Sequence, residues 1–303
     1  MNRIKCLIYS MLYNVLSSSE KYIICECYIM KKYGKFMHHN WGDDMNYYFF
    51  NYITNRKVLS IPCQYLEHRK KKNYYSLIGS ILNFYSLEGK TIYGSGLIDP
   101  HAKITGKPQS IISVRGPRTR RVLIEKGIDC PEKYGDPILL LPLFYSPCRK
   151  ETEKRGAIIL NMGTECSEDS FVQKCCEKYR LKIISLTKYD KWTDIIDEIV
   201  NSSFVISESL HGLIVAETYG VPNVWVEFKE HPSYWNFKFE DYYESINKYE
   251  NKLEFNNFET MDIIMEKISN WEKARIAYDE LLSYFPFEIK CKVNDEFLKN
   301  DYI

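Results

Sequence analysis

Short apolar runs alternate with polar and amphipathic stretches along most of this 303-residue chain. Strand-like runs lie at 58–61, 76–82 and 111–114 in the first half, and at 156–160, 204–207 and 224–226 in the second. A helix-like stretch over 259–284 follows them. Stretches with helical spacing of apolar residues lie between them. Strands joined through helices pair in parallel and carry helices on both faces. The alternation therefore predicts an α/β protein with two open, mostly parallel, Rossmann-like sheets.

A polar segment at 146–155, which overlaps and follows prolines, divides the chain. The length fits two domains of ordinary size, and boundaries between domains fall in exposed polar linkers. We therefore predict a first Rossmann-like domain over 1–148, with an extra N-terminal helix, and a second over 149–303, closed by C-terminal helices. Because ligands bind beyond the carboxyl ends of the strands in such sheets, we expect the domains to face a cleft.

Composition excludes several classes of protein. Forty-one Lys and Arg residues against 40 Asp and Glu give a net charge of +1, so no overall basic field attracts nucleic acid. The ten cysteines include no Cys-x-x-Cys pair, and the chain is long enough to bury a core without disulfides. We expect most cysteines to be small buried side chains of a cytoplasmic protein without a metal site.

The first 16 residues allow two interpretations. Arg3 and Lys5 precede an apolar region, as in a signal peptide, but polar residues interrupt that region. Its apolar residues fall instead at helical spacing: Ile4, Leu7, Ile8, Met11, Leu12 and Val15. We favour an amphipathic helix that packs or lies at an interface, with the signal peptide as the alternative. No uncharged apolar run approaches the ~18 residues that span a bilayer.

The segment 207–212, Ser-Glu-Ser-Leu-His-Gly, has the pattern of a strand, a tight polar turn and a helix. His211 would lie in the first helical turn, where free backbone N–H groups favour an anion. A protonated histidine there could hold a phosphate or deliver a proton. Ser207, Ser209 and Gly212 are its candidate substrate-binding neighbours. The alternative is that His211 only caps or packs the turn.

Arg115 is the second candidate, because it directly follows a strand at the start of a helix that Pro117 opens. That position suits a carboxylate or a phosphate, which arginine can bind in a bidentate manner. Arg118 is a weaker candidate on the same helix. The alternative for both is a surface arginine.

Asp43 and Asp44 form a pair of carboxylates at another strand-to-helix turn, ahead of a helix predicted over 45–54. One of them could act as a general base towards a hydroxyl group. The alternative is that either carboxylate caps the helix. Asn40 in the same turn and Lys229 in a later loop are further substrate-binding candidates.

Four segments, in this order, resemble the polysaccharide pyruvyl transferases. They are Asn-Trp-Gly-Asp-Asp-Met-Asn at 40–46, Val-Arg-Gly-Pro-Arg-Thr at 114–119, Gly-Asp-Pro-Ile-Leu-Leu at 135–140 and Ser-Glu-Ser-Leu-His-Gly at 207–212, the last followed by Ala216 and by Gly-Val-Pro at 220–222. The resemblance runs from Lys35 to Phe228 and leaves the N-terminal segment uncovered.

The resemblance implies a glycosyltransferase-B-like fold, with the acceptor on the first domain and the donor on the second. It implies transfer of the enolpyruvyl carbon skeleton of phosphoenolpyruvate onto two sugar hydroxyls, which forms a cyclic ketal and releases phosphate. Phosphoenolpyruvate is then a donor substrate, and no cofactor or metal is expected. The sugar would belong to a precursor of a bacterial surface polysaccharide or exopolysaccharide.

Carried over by position, the resemblance places His211 and Arg115 at the donor. His211 becomes the candidate acid, and Asp43 or Asp44 the candidate base. Many members carry arginine two residues before the motif histidine, where this chain has Ser209. The missing charge would have to come from another cation: Arg115, Arg118 or Lys229.

Two other functions stay open at this point. A glycosyltransferase of the same architecture would use a nucleotide sugar, and a sugar-binding protein would catalyse nothing. The acceptor is either lipid-linked or nucleotide-linked, and a lipid-linked acceptor would bring the N-terminal helix to the inner membrane face. The aromatic stretch at 234–249 either shapes the acceptor site or only packs. The sequence leaves the oligomeric state open.

Overall fold

The computed structural model describes residues 3–27, 30–32, 35–38, 40–61, 66, 73–84, 86–149, 155–161, 164 and 170–299. The first half contains the strands β1 (Tyr22–Glu26), β2 (Met30–Lys32), β3 (Lys35–Met37), β4 (Lys57–Ser60), β5 (Tyr74–Ser76), β6 (Thr91–Tyr93) and β7 (Ser110–Ser113). The second half contains β8 (Arg155–Ile159), β9 (Lys182–Ile184), β10 (Ser202–Ser207), β11 (Asn223–Glu227) and β12 (Leu253–Glu254).

The α-helices lie between and after these strands. They are α1 (Arg3–Leu16), α2 (Trp41–Thr54), α3 (Pro117–Glu125), α4 (Leu141–Phe144), α5 (Phe171–Tyr179), α6 (Trp192–Val200), α7 (Leu210–Thr218), α8 (Phe237–Ser245), α9 (Thr260–Ser269), α10 (Tyr278–Ser283) and α11 (Glu296–Lys299). Short 3-10 helices at Pro137–Leu140 and Ser233–Asn236 precede α4 and α8.

Two parallel five-stranded sheets organise the chain. The first has the order β4-β1-β5-β6-β7 and the second the order β12-β11-β10-β8-β9, and each neighbouring pair within them is parallel. Strands β2 and β3 form a separate antiparallel pair. The predicted α/β class with two parallel sheets is confirmed.

Three predicted elements differ from the structure. Helix α2 begins at Trp41 rather than at residue 45, because Asn40 caps it and the Trp41 ring is fully buried. The strand predicted over 76–82 ends at Ser76, where the backbone turns through Gly79 with a φ of 116°. The helical stretch predicted over 259–284 is two helices, α9 and α10, separated by residues 270–277.

Helix α7 is buried along its whole length. It packs against β10 and β11 on one side and against the 3-10 helix of the first half on the other. Thr218 Oγ1 donates a hydrogen bond to Leu139 O at 2.9 Å, which ties the end of α7 to the first half. A single large apolar core therefore includes residues from both sheets.

The C-terminal segment returns to the first sheet. The ring of Phe285 stacks on Phe50 at 6.1 Å, and Phe287 meets Tyr75 edge-on at 4.9 Å. The backbone N–H of Lys290 donates to Ile53 O at 2.8 Å. Phe285, Phe287 and Lys290 thus pack on elements of the first half, and the boundary at 148/149 stays a prediction.

Four of the described cysteines are buried as predicted: Cys25, Cys130, Cys175 and Cys176. Cys27 and Cys291 are half-buried, whereas Cys148 is exposed. Within the part of the chain that the structure describes, no helix is both long enough and apolar enough to cross a membrane.

Candidate functional site

A cavity of ≈ 670 Å³ opens where the carboxyl ends of both sheets meet. Its walls come from segments that follow β5 and β6 in the first sheet and β8, β9 and β10 in the second, together with the first turn of α2 and the start of α8. The polar side chains that line it include Asn40, Asp43, Ser80, Asn161, Ser209, His211 and Lys238. Three segments that the sequence singled out, 40–46, 207–212 and 234–249, therefore contribute to one cavity.

The first turn of α2 presents Asp43 to the cavity. Asn40 caps the helix by accepting a hydrogen bond from the Gly42 N–H at 3.3 Å, and its Nδ2 donates to Asp43 Oδ2 at 3.0 Å. Burial raises the pKa of Asp43 to about 7, against the opposing effects of Asn40 and Lys238. At neutral pH this carboxyl group can therefore both donate and accept a proton.

Asp44 points away from the cavity and is fully buried. Its Oδ2 accepts a hydrogen bond from the Tyr189 hydroxyl at 2.5 Å and lies 3.3 Å from His38 Nδ1. The rings of His38 and Tyr189 are 4.0 Å apart. Asp44 thus joins the first half of the chain to the loop after β9. Of the two predicted carboxylates, the structure brings only Asp43 into the cavity.

His211 lies in the first turn of α7 and is 7% exposed. Its ring packs against the backbone of Gly42, so closely that a Cβ at that position would overlap the imidazole. Burial, followed by the positive charges of Lys238 and Arg115, lowers the pKa of His211 to about 3. His211 is therefore neutral at pH 7.

Asp136 faces the other edge of the His211 ring. Its Oδ1 accepts a hydrogen bond from the Ile138 N–H at 3.0 Å, as expected for a residue that fixes a turn. Its Oδ2 lies 3.8 Å from His211 Nε2, and neither atom has a hydrogen-bond partner within the described residues. Burial raises the pKa of Asp136 to about 6. A small movement would close a carboxylate–imidazole hydrogen bond.

Besides the exposed Lys188, the cavity is lined by a half-buried lysine to which the sequence did not point, Lys238. Its Nζ lies 4.2 Å from the ring centre of Trp235 and 5.0 Å from that of Phe239, while the structure shows it no ion pair with a described residue. Burial lowers the pKa of Lys238 to about 7, and Arg115 lowers it further, whereas Asp43 and Glu208 raise it. The aromatic stretch at 234–249 was the only signal in the sequence for this site.

Arg115 does not line the cavity. Its guanidinium group is fully buried and contacts Asp241 Oδ2 through Nε at 3.1 Å and Nη2 at 3.0 Å. It also donates to Ser80 Oγ and to Leu97 O, both at 2.6 Å. Arg115 therefore lies behind the wall of the cavity, where it supports Ser80. A donor substrate bound in the cavity would not contact it.

The other predicted residues take several positions. Arg118 pairs with Glu240 and Glu244 of α8, outside the cavity. Lys229 is exposed and does not line the cavity either.

Ser209 lines the cavity at the start of α7, and no side chain caps that helix. Ser207 builds the turn that precedes α7. Its Oγ donates to Ser209 O at 2.9 Å and accepts from the Ser209 N–H at 3.0 Å. Gly212 packs against it, since a Cβ there would lie 2.7 Å from Ser207 Oγ. The serine and the glycine thus shape the turn rather than face the cavity.

Glu208 was also missed, although it lies inside the best-defined motif. Its buried carboxylate accepts from the Asn161 N–H at 3.1 Å and the Thr164 hydroxyl at 2.5 Å. It also accepts from the Phe228 N–H at 3.2 Å and lies 3.3 Å from His231 Nε2. Glu208 holds together the loops that follow β8, β10 and β11. In the described ranges, no group of three His, Cys, Asp or Glu side chains could hold a metal ion.

Fold and site together define an α/β protein whose two parallel sheets share a polar cavity lined by a half-buried acid, a neutral histidine and a half-buried lysine. The family model for polysaccharide pyruvyl transferase matches residues 32–230, and the chain belongs to that family. It is also similar to the uncharacterized protein L143 of Acanthamoeba polyphaga mimivirus, with 26% identity over 267 residues that cover 78% of this chain and 86% of that protein.

Proposed function

We propose that the chain transfers the enolpyruvyl carbon skeleton of phosphoenolpyruvate onto two hydroxyls of a sugar, with formation of a cyclic ketal and release of phosphate. The observation that carries the proposal is the meeting of Lys238, Asp43 and His211 in one cavity at the uncapped start of α7. A cation, a titratable acid and a neutral base are the three groups that this reaction needs.

Phosphoenolpyruvate carries a carboxylate and a phosphate, and the cavity offers donors for both. Burial makes the positive charge of Lys238 costly when no anion is bound. A bound anion therefore favours the protonated form of this lysine. The backbone N–H groups at the start of α7, beside Ser209, are suited to the phosphate. Lys238 thereby supplies, from α8, the positive charge that many family members carry at the position of Ser209.

The directions of the pKa shifts favour proton roles opposite to those expected from the sequence. Asp43, with its pKa raised to about 7, is the acid that protonates the methylene carbon C3. Neutral His211 is the base that takes the proton of the attacking hydroxyl. Asp136, 3.8 Å from His211 Nε2, stabilises the imidazolium that forms.

The atoms balance in two additions at C2. One sugar hydroxyl bonds to C2 as C3 gains a proton, and His211 takes the hydroxyl proton. The C2–O bond to phosphate then breaks, and the second hydroxyl bonds to C2. Of the two hydroxyl protons, one replaces the proton that Asp43 gave to C3 and the other leaves with phosphate.

The finer architecture is part of the proposal. We take the two sheets as Rossmann-like domains in a glycosyltransferase-B-like arrangement, with the acceptor on the first and the donor on the second. Ile81, Phe84 and Ile98 line the side of the cavity that belongs to the first sheet. An exposed aromatic ring such as Phe84 suits the apolar face of a sugar. The sugar is a unit of a polysaccharide precursor, and the site of action is cytoplasmic.

Calorimetric titration of the purified full chain with phosphoenolpyruvate tests the donor. The wild type should bind, whereas Lys238→Gln should bind at least tenfold more weakly, because it removes the cation without changing the length of the side chain much. The control is Lys103→Gln, which removes an exposed cation outside the cavity and should bind like the wild type.

A panel of nucleotide sugars in the same titration separates the alternative function. Binding of a nucleotide sugar and not of phosphoenolpyruvate would establish a glycosyltransferase on this scaffold and overturn the proposal. Equal binding of phosphoenolpyruvate by the wild type and Lys238→Gln would overturn the assignment of Lys238.

A further inference from the structure

Helix α1 carries an apolar face that nothing in the described part of the chain covers. Five large apolar side chains on it are between 46% and 71% exposed: Leu7, Ile8, Met11, Leu12 and Val15. They fall at helical spacing and form one continuous stripe. Single exposed apolar residues are common on protein surfaces, but a continuous patch marks a binding surface.

The opposite face of α1 fixes the helix to the body of the protein. Tyr13 is 2% exposed and meets the ring of Tyr74 edge-on at 6.3 Å. Asn73 Nδ2 donates to Ser17 O at 2.8 Å just beyond the end of the helix. The exposed stripe is therefore presented outwards on an anchored helix, and it is not needed for the packing of α1.

The charged residues of α1 indicate which kind of binding partner suits the apolar stripe. The sequence of α1 contains two cationic residues, Arg3 and Lys5, and no acidic residue. At 100° per residue, Arg3 and Lys5 occupy helical positions at the two borders of the stripe. A second copy of this helix would bring like charges together, whereas an apolar stripe bordered by cations complements a membrane surface that contains anionic lipid.

We propose that α1 docks the protein peripherally on an anionic membrane surface, with the stripe from Leu7 to Val15 inserted at the level of the headgroups. This inference does not depend on the proposed reaction, because its test uses no substrate. It is also independent of any membrane-spanning segment. If the proposed reaction holds, docking would place the cavity near sugars carried on lipid.

Sedimentation with sucrose-loaded vesicles tests the proposal. The full chain should pellet with vesicles of phosphatidylglycerol and phosphatidylcholine, and much less with pure phosphatidylcholine. Leu7→Gln/Met11→Gln should lower the partition coefficient at least tenfold. Ile263→Gln/Met265→Gln on α9, which replaces a similarly exposed apolar pair, is the matched control and should bind like the wild type.

Charge is tested separately with Arg3→Gln/Lys5→Gln. Binding to the anionic vesicles should fall roughly fivefold for each cation removed, and raised salt should have the same effect on the wild type. Unchanged thermal stability of the α1 variants shows that they are folded.

Two results would overturn the proposal. One is the same vesicle partition for the wild type and Leu7→Gln/Met11→Gln, which includes the case in which neither binds. The other is a dimer in sedimentation velocity that Leu7→Gln/Met11→Gln dissociates, since the stripe would then bind a second copy.

Discussion

Addition of one methyl group at Gly42 should displace His211 and restore its ordinary titration. The ring atom Cγ would lie 2.5 Å from the new Cβ, which is 0.9 Å short of the 3.4 Å at which ordinary contact begins, and Nδ1 and Cε1 would lie closer still. The imidazole must therefore move by at least about 1 Å. Displacement of a catalytic group by that distance lowers turnover about 10²-fold.

The cost in stability should be smaller than the effect on the ring. Overpacking costs about 1–3 kcal/mol, while alanine in place of glycine inside a helix returns up to about 1 kcal/mol. Gly42→Ala should therefore fold, with a net loss of about 2 kcal/mol or less in the free energy of unfolding. Urea denaturation measures that loss without any substrate.

Proton NMR of the histidine ring provides the decisive measurement. In the wild type the His211 signal, assigned by its absence in His211→Gln, should not shift between pH 8 and pH 5, because the pKa is lowered to about 3. In Gly42→Ala the signal should titrate nearer the ordinary value of 6.5. The control is Gly127→Ala, which is strained by its φ of 73° but has open space at Cβ. In this variant the His211 signal should not shift between pH 8 and pH 5. If the His211 signal of Gly42→Ala also does not shift between pH 8 and pH 5, the close packing of His211 against Gly42 is refuted.

Three further outcomes follow from the same geometry. Arg115→Ala should lower the free energy of unfolding in urea by about 3–5 kcal/mol, because it leaves a buried carboxylate unpaired, whereas Arg118→Ala should cost about 1 kcal/mol or less. Tyr189→Phe should cost about 1.5–3 kcal/mol in the same assay, since it removes a donor to a buried carboxylate, and should leave phosphoenolpyruvate affinity in calorimetry unchanged. That affinity should fall as pH rises above 7, because free Lys238 loses its proton near that pH and the anion binds the protonated form; Lys238→Gln should lose this dependence.

The alternation of strands and helices was enough to predict the class and both sheets, but contacts distant in sequence set several boundaries. Strand β1 was not predicted, although the polar residues 17–21 separate its short apolar run from the N-terminal helix. Helix α2 starts earlier than predicted because Asn40 caps it and because the buried Trp41 ring is held by a hydrogen bond from its Nε1 to Trp192 O at 2.8 Å. A partner 151 positions away in the chain is not visible in a local pattern.

The site was predictable where a residue is placed by its own motif. His211 lies where β10 of a parallel sheet is followed by α7, and such turns collect at one edge of the sheet. Asp43 lies in the first turn of α2, which follows the antiparallel pair β2 and β3 and begins at its own cap, Asn40. Lys238 lies on a helix behind an aromatic loop, and its sequence neighbours resemble ordinary packing residues. Its function as a cation depends on where α8 lies, so only the folded structure shows it.

Arg115 shows why a charged residue in a motif need not touch the ligand. Its salt bridge with Asp241 satisfies the carboxylate, but the guanidinium still acts on the cavity at a distance, since it contributes to lowering the pKa of both His211 and Lys238. Burial is the main reason that the pKa of both side chains is lowered, and the positive charge of Arg115 behind the wall adds to that effect, so that a bound anion is needed to stabilise the charged lysine. The same arginine also holds Ser80 in the cavity wall. Arg115 therefore makes the cavity more favourable for an anionic donor substrate, although it does not contact that substrate.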